Sequence, residues 1–181
     1  VLCVFDSEEV GSVSPQGAGS SLLEDTLGRI CDGLKLNRGR MLAQSFLVSA
    51  DNAHAVHPNH PEYADPGNAP VMGGGLVIKY NANLSYCTDS VSAAVFRKIC
   101  GRAGVKVQTY HNRADLPGGS TLGRISLAHV SVPTVDIGLA QLAMHSCYET
   151  AAVSDAIDLE TAMAAYYGST LEATGSGFSI L

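Results

Sequence analysis

Apolar positions fall along this chain in short blocks whose spacing changes repeatedly between strand-like and helix-like. Val1-Leu2-Cys3-Val4-Phe5 is a continuous apolar run that reads as a buried strand, and it stops abruptly at Asp6, Glu8 and Glu9. Leu23, Leu27, Ile30 and Leu34 step by four, three and four, which predicts a helix capped by Ser20 or Ser21. A turn around residues 37–39 leads to a short apolar run, Ser45 to Ala50, which again ends in an acid, Asp51.

Gly, Pro and Asn dominate residues 58–75, a loop long enough to be functional. Beyond it, Leu76 to Tyr80 predicts a strand. Asp89 is placed to cap a helix carrying Val91, Ala94, Val95 and Ile99. Val105 to Tyr110 predicts a further strand, and Pro117 to Thr121 opens a helix running to about His129. Val132 to Gly138 reads as the last strand, and a helix from about Ser154 to Leu171 closes the chain. Strands alternating with helices predict an α/β layered fold, a mostly parallel central sheet flanked by helices. In such sheets ligands collect beyond the carboxyl ends of strands, where Glu8, Glu9, Asp51 and His145 are all expected.

Composition narrows the class. With 181 residues, 46% hydrophobic and 15% charged, the chain is one globular unit with a sizeable core. A net charge of −6 with only 11 scattered basic residues argues against a nucleic-acid partner, and the absence of a long apolar run argues against a membrane span. Five cysteines without C-x-x-C spacing point to reduced thiols and a cytoplasmic setting.

The candidate chemistry sits at the strand ends. Adjacent carboxylates such as Glu8 and Glu9 repel each other unless both face water or a cation lies between them. A divalent metal would account for the pair, one carboxylate ligating while the other takes a proton from water; a solvated loop after an edge strand is the competing reading. Asp51 with His54 and His57 offers the mixed carboxylate and imidazole set of a metal site, or a polar loop with surface histidines. His145 precedes Glu149 by four residues, so a local helix would bring that carboxylate to the imidazole and fix its tautomer. Gly119-Ser120-Thr121 would hold an anion or simply cap the next helix. Lys79 ends a strand on the same rim, facing an acidic substrate group or snorkelling to water. His60 reads as loop, and His111 and His129 as structural residues.

Asp6-Ser7-Glu8-Glu9-Val10-Gly11-Ser12, Ser49 to Asn59, Lys79 to Asn83, Gly119 to Thr121 and Met144 to Glu149 together resemble the M18 metalloaminopeptidases, the aspartyl aminopeptidase family. The resemblance implies a hydrolase that releases N-terminal residues, acidic ones by preference, from peptides with a water activated by two zinc ions. It implies Glu8 as general base, Glu9 and His145 as ligands of one zinc and Asp51 of the other. His54, His57, Lys79 and Gly119-Ser120-Thr121 would line the substrate pocket. Members also need a histidine and a metal-bridging aspartate from chain before the Glu-Glu loop, together with an inserted dimerisation domain, and they form homo-oligomers. Residues 1–181 are therefore expected to be the C-terminal portion of the catalytic domain, inactive alone. A non-catalytic module that packs against a partner chain is the alternative, and a nucleotide-binding protein a distant third.

Overall fold

The structure is a computed structural model that describes all 181 residues. Its centre is a four-stranded sheet built from β1 (Leu47–Ala50), β3 (Leu76–Tyr80), β4 (Val107–His111) and β5 (Thr134–Gly138), in the order β1-β5-β3-β4. The β1–β5 and β3–β4 pairs are parallel, and β3–β5 is antiparallel. This is the mostly parallel α/β sheet that the alternating pattern predicts.

β3 and β5 lie at the centre and are buried almost throughout, so both of their faces are covered. The period of two along a strand then sorts their side chains. Leu76, Ile78, Val135 and Ile137 turn to one face and form the main core with Phe96 and Ile99 of α3 (Ser90–Arg102) and Ala162 of α5 (Val153–Gly168). Lys79 and Asp136 alternate with those residues and therefore turn to the other face, where Ser49 of β1 stands opposite Asp136. Two buried charges thus follow from strand geometry, and both need partners on that side.

The parallel ladder does not stop at the ends of β1 and β5. Asp51 donates its backbone N–H to Ile137 at 3.1 Å, and Ala53 donates to Leu139 at 2.8 Å. The two segments continue side by side into β2 (Ala53–His54) and β6 (Ala140–Leu142), which β7 (Thr150–Ala151) extends into a second small sheet. Asp51 is held at the junction of the two sheets. That junction is where the candidate chemistry lies.

Helix α1 (Leu22–Leu34) packs Leu23 against Val130 and Val132. Helix α2 (Arg38–Ala43), where the sequence shows only a turn, starts because the Asn37 side chain accepts from the Arg40 N–H at 2.9 Å. Helix α3 begins at the predicted cap: Asp89 accepts from the Ser92 N–H while the Ser92 hydroxyl accepts from the Asp89 N–H, a reciprocal capping box. Asp89→Ala is expected to destabilise the chain by about 1 kcal/mol, readable in urea unfolding as a lower midpoint at unchanged slope. Helix α4 (Leu122–Leu127) is shorter than expected, ending before His129.

Three expectations fail. Val1 to Phe5 forms no strand; Val1, Leu2 and Val4 are 71%, 73% and 80% exposed, and no neighbouring strand satisfies their backbone. Residues 132–138 do not contain the last strand. And the final helix ends at Gly168, not Leu171, after which β8 (Leu171–Thr174) and β9 (Gly177–Ile180) form an antiparallel hairpin. Leu171 and Ala173 alternate with outward Glu172 and Thr174, and the two-residue turn Gly175-Ser176 reverses the chain, so strand spacing prevails over helical continuation. No helix is long and apolar enough to cross a membrane.

Candidate functional site

Glu8 and Glu9 lie on a single 3-10 turn, Glu8–Val10, whose backbone is held in an unusual shape. Ser7 at φ 63° and Ser12 at φ 60° are non-glycine residues in the left-handed region, and Gly11 at φ 98° lies between the turn and Ser12. The Ser12 N–H closes the loop onto the Ser7 carbonyl at 2.8 Å. Across from it, Ala143 at φ 56° and His145 at φ 66° present a second strained turn. Such conformations cost about 1–3 kcal/mol each and concentrate where geometry matters more than stability.

The two turns meet. The Glu9 Oε2 and His145 Nδ1 atoms are in direct hydrogen-bond contact. Both side chains are more than half exposed, and the carboxylate beside it raises the imidazole above its ordinary pKa. Glu149 does not reach the imidazole, because residues 143–148 form turns and not a helix; its Oε1 accepts the His145 backbone N–H at 2.7 Å and so fixes the turn.

Glu8, Glu9, Asp51, His54, Gly119, Ser120, Thr121, His145 and Glu149 all line one polar pocket of about 120 Å³, with Tyr86 in its wall. The structure thereby brings together nine of the eleven residues singled out in the sequence. Partial burial raises the Glu8 carboxyl above its usual range, and the neighbouring Asp51 and Glu9 charges push the same way. Burial lowers the His54 imidazole, with the His145 and Lys79 charges adding to the effect and Asp51 opposing it.

Lys79 and His57 do not line this pocket. Lys79 is 1% exposed, so it does not snorkel to water. Its Nζ donates to the Asn52 carbonyl at 3.0 Å, stands 3.6 Å from Asp51 Oδ2, and lies 5.2 Å from the centre of the Tyr86 ring. Burial lowers its pKa, against the opposing pull of Asp51 and Asp136. The ammonium therefore supports the Asp51 loop from beneath. His57 lies in an adjoining cavity, where its Nδ1 accepts the Asn59 N–H at 3.2 Å.

Asp136 was visible in the sequence only as part of an apolar strand, yet it anchors the pocket floor. It is fully buried; Oδ1 accepts the Thr121 hydroxyl at 2.8 Å and Oδ2 accepts the Cys87 N–H. Its backbone N–H donates to the Thr88 hydroxyl at 2.8 Å. A charge in the middle of an apolar strand was the available signal, since such a residue needs several donors. Through Thr121 it fixes the Gly119-Ser120-Thr121 turn, which serves as a pocket wall; α4 behind it has only six residues.

Four carboxylates and two imidazoles lining one small pocket form a donor set suited to zinc, whose ligands are imidazole nitrogen and carboxylate oxygen. The set is open: no three His, Cys, Asp or Glu side chains close around a single point. It fits part of a metal shell. The larger apolar cavity, about 380 Å³ between Leu23, Phe46 and Tyr166, lies apart from these carboxylates and offers no such donors.

A family model described as aminopeptidase I zinc metalloprotease (M18) matches residues 1–167. The probable M18 family aminopeptidase 2 of Mycobacterium tuberculosis is 45% identical over 174 residues, covering 94% of this chain and 40% of the relative. The probable aspartyl aminopeptidase of Ricinus communis is 46% identical over 159 residues, covering 86% and 32% respectively. Among solved structures, the mApe1 dodecamer of S. cerevisiae superposes with a TM-score of 0.78 at 28% identity, over 91% of this chain and 36% of that one. The chain thus spans about 40% of the length of the mycobacterial relative.

Proposed function

Because this chain belongs to the M18 family of zinc aminopeptidases, we propose that it is the C-terminal portion of a catalytic domain that releases N-terminal residues from peptides. The observation that carries this reading is the convergence of Glu8, Glu9, Asp51 and His145 on one pocket at the junction of the two sheets. Glu9 and His145 would hold one zinc and Asp51 a second, with a further histidine and aspartate supplied by chain upstream of residue 1. When bound, the metal pair polarises the scissile carbonyl and makes water a better nucleophile.

The chain's own residues do the rest. Glu8, pushed toward neutrality by burial and by its acidic neighbours, is suited to take a proton from the attacking water and hand it to the leaving amine. The same carboxylates attract the cationic amino terminus of a peptide. Lys79 and the Asn52 carbonyl hold Asp51 in place, Glu149 holds the His145 turn, and Asp136 holds Thr121. Assembly into a homo-oligomer fits the dodecameric relative.

This segment alone is expected to bind zinc weakly and to show no turnover. Mixing it with the upstream part of the mycobacterial relative is expected to restore both. Micromolar or tighter zinc binding with turnover of an aminoacyl reporter by the 181 residues alone would sink the idea. The exposed apolar residues at Val1, Leu2 and Val4 also suit a module that packs on another chain, the second reading.

A further inference from the structure

Helix α5 is held firmly from within. Its inner side places Ala162 in the main core, and the Tyr166 hydroxyl donates to the Phe46 carbonyl at 2.6 Å. At its start the fully buried Asp155 accepts the Gly73 and Gly75 N–H groups at 2.8 and 3.1 Å. Anchors at both ends and in the middle of these 16 residues fix which side of the helix is turned outward.

That outward side is apolar. Val153, Ala156, Ile157, Glu160, Ala164 and Tyr167 fall on one side of a helix of 3.6 residues per turn, and all are exposed, Val153 by 78% and Ile157 by 58%. Glu160 is the only charge among them. On α1, by contrast, the exposed positions include Asp25, Arg29 and Asp32. A helix that is apolar on both sides is normally covered on both, and the small Ala156 and Ala164 side chains leave room for a second helix to pack closely.

The stripe leads to the beginning of the chain. The Tyr167 hydroxyl donates to the Val1 carbonyl at 3.4 Å, and the exposed Val1 and Leu2 extend the apolar surface past the end of α5. Polypeptide preceding Val1 therefore leaves from one end of the uncovered face. The chain spans about 40% of the length of the mycobacterial relative, so ample upstream sequence exists in a protein of that length. A helix of about 16 residues covers the face, about 24 Å long. Its tether at Val1 holds such a segment at an effective concentration on the order of millimolar, which a separate copy does not reach.

We propose that the outer face of α5 is the docking surface for the segment of the same polypeptide that precedes Val1, seated as an amphipathic helix. Its apolar side would lie on Val153, Ile157, Ala164 and Tyr167, with a basic side chain opposite Glu160. This rests on the reading of these residues as the C-terminal portion of a longer domain, and it gives α5 no part in the chemistry.

The test compares the complete protein, upstream part included, with the 181-residue segment. Ile157→Asp is expected to lower Tm of the complete protein by about 3 °C or more and that of the segment by less than about 1 °C, because only the complete protein buries the new charge. Hydroxyl-radical footprinting of the two unaltered proteins is expected to show severalfold slower oxidation of Val153, Ile157 and Tyr167 in the complete one. A photo-cross-linking side chain placed at Ile157, in protein assembled from mixed heavy and light copies, then identifies the occupant. Adducts to upstream residues of the same copy are expected. Adducts joining heavy to light copies would make a second copy the occupant and overturn the proposal, as would equal oxidation in the two proteins or equal Tm shifts. Turnover of an aminoacyl reporter is measured on the unaltered complete protein. Its absence would count against the aminopeptidase reading and leave the docking intact.

Discussion

Glu8→Gln in the completed enzyme is expected to lower kcat by about 10²- to 10⁴-fold, the usual contribution of a general base, while the protein folds and binds zinc as before. The substitution keeps the size and shape of the side chain and removes its negative charge together with its capacity to take up a proton. Glu8 makes no side-chain hydrogen bond that folding depends on; the 3-10 turn is closed by backbone groups, with Gly11 donating to the Glu8 carbonyl at 3.0 Å. Stability should therefore change little. Loss of a like charge beside Glu9 and Asp51 would if anything relieve repulsion. Glu9→Gln is expected to behave differently, weakening zinc binding as well as turnover, because Glu9 is the proposed ligand that meets His145. Paired measurements of metal content and single-turnover rate separate the two roles. If Glu8→Gln leaves the rate unchanged, the residue is not the base, and a segment that only packs against a partner explains the chain better.

The sequence made the framework readable where one element carried one pattern. The four, three, four spacing of Leu23, Leu27, Ile30 and Leu34 is a helix signal that tertiary contacts reinforce, and Asp89 ahead of Val91, Ala94, Val95 and Ile99 is a start signal that the capping box with Ser92 realises. Val1 to Phe5 carried a strand signal just as strong, but a strand needs a partner, which no local pattern reveals. The sequence pattern takes Leu171 into the preceding helix and assigns no element to residues 172–180, because four-residue strands are too short to announce a period.

The site shows the same division. Residue types at strand ends pointed to Glu8, Glu9, Asp51 and His145, whereas which group pairs with which was not legible. Lys79 and Asp136 are both charged residues within apolar strands, so the sequence showed that each must be paired or must reach water. Only the alternation of side chains across a sheet covered on both faces decides for burial, and puts both on the side of Asp51 and Thr121. Glu149 was placed on the wrong partner because its spacing from His145 fits a helix, while the left-handed backbone at Ala143 and His145 makes a turn.

Gly138→Ala is expected to be the most damaging single-methyl change at the site, although residue 138 touches no substrate. Gly138 ends β5 where the ladder passes from the large sheet to the small one, and the Asp51 loop runs directly over it. A Cβ built there would overlap the Asp51 carbonyl and come within 2.8 Å of the Asn52 carbonyl carbon and 2.9 Å of the Ala53 nitrogen. All three are backbone atoms, so no side-chain rotation relieves the clash; the loop itself must move. Overpacking of this kind costs about 1–3 kcal/mol and occasionally more, and with backbone opposing backbone the upper part of that range is expected. For a chain of this size, about 3 kcal/mol lowers Tm by about 6–12 °C. The same movement carries Asp51 away from Lys79, since the Asn52 carbonyl is both what the new methyl meets and what Lys79 Nζ binds. Gly28→Ala is the matched control: it lies inside α1 with nothing within 4 Å of the added methyl, and alanine should stabilise the helix by about 0.5–1 kcal/mol. Opposite Tm shifts from the two substitutions, with zinc binding in the completed enzyme lost only in Gly138→Ala, would show that the sheet junction fixes the position of Asp51. Equal behaviour would mean that the Asp51 loop adapts and that the junction is not what holds it.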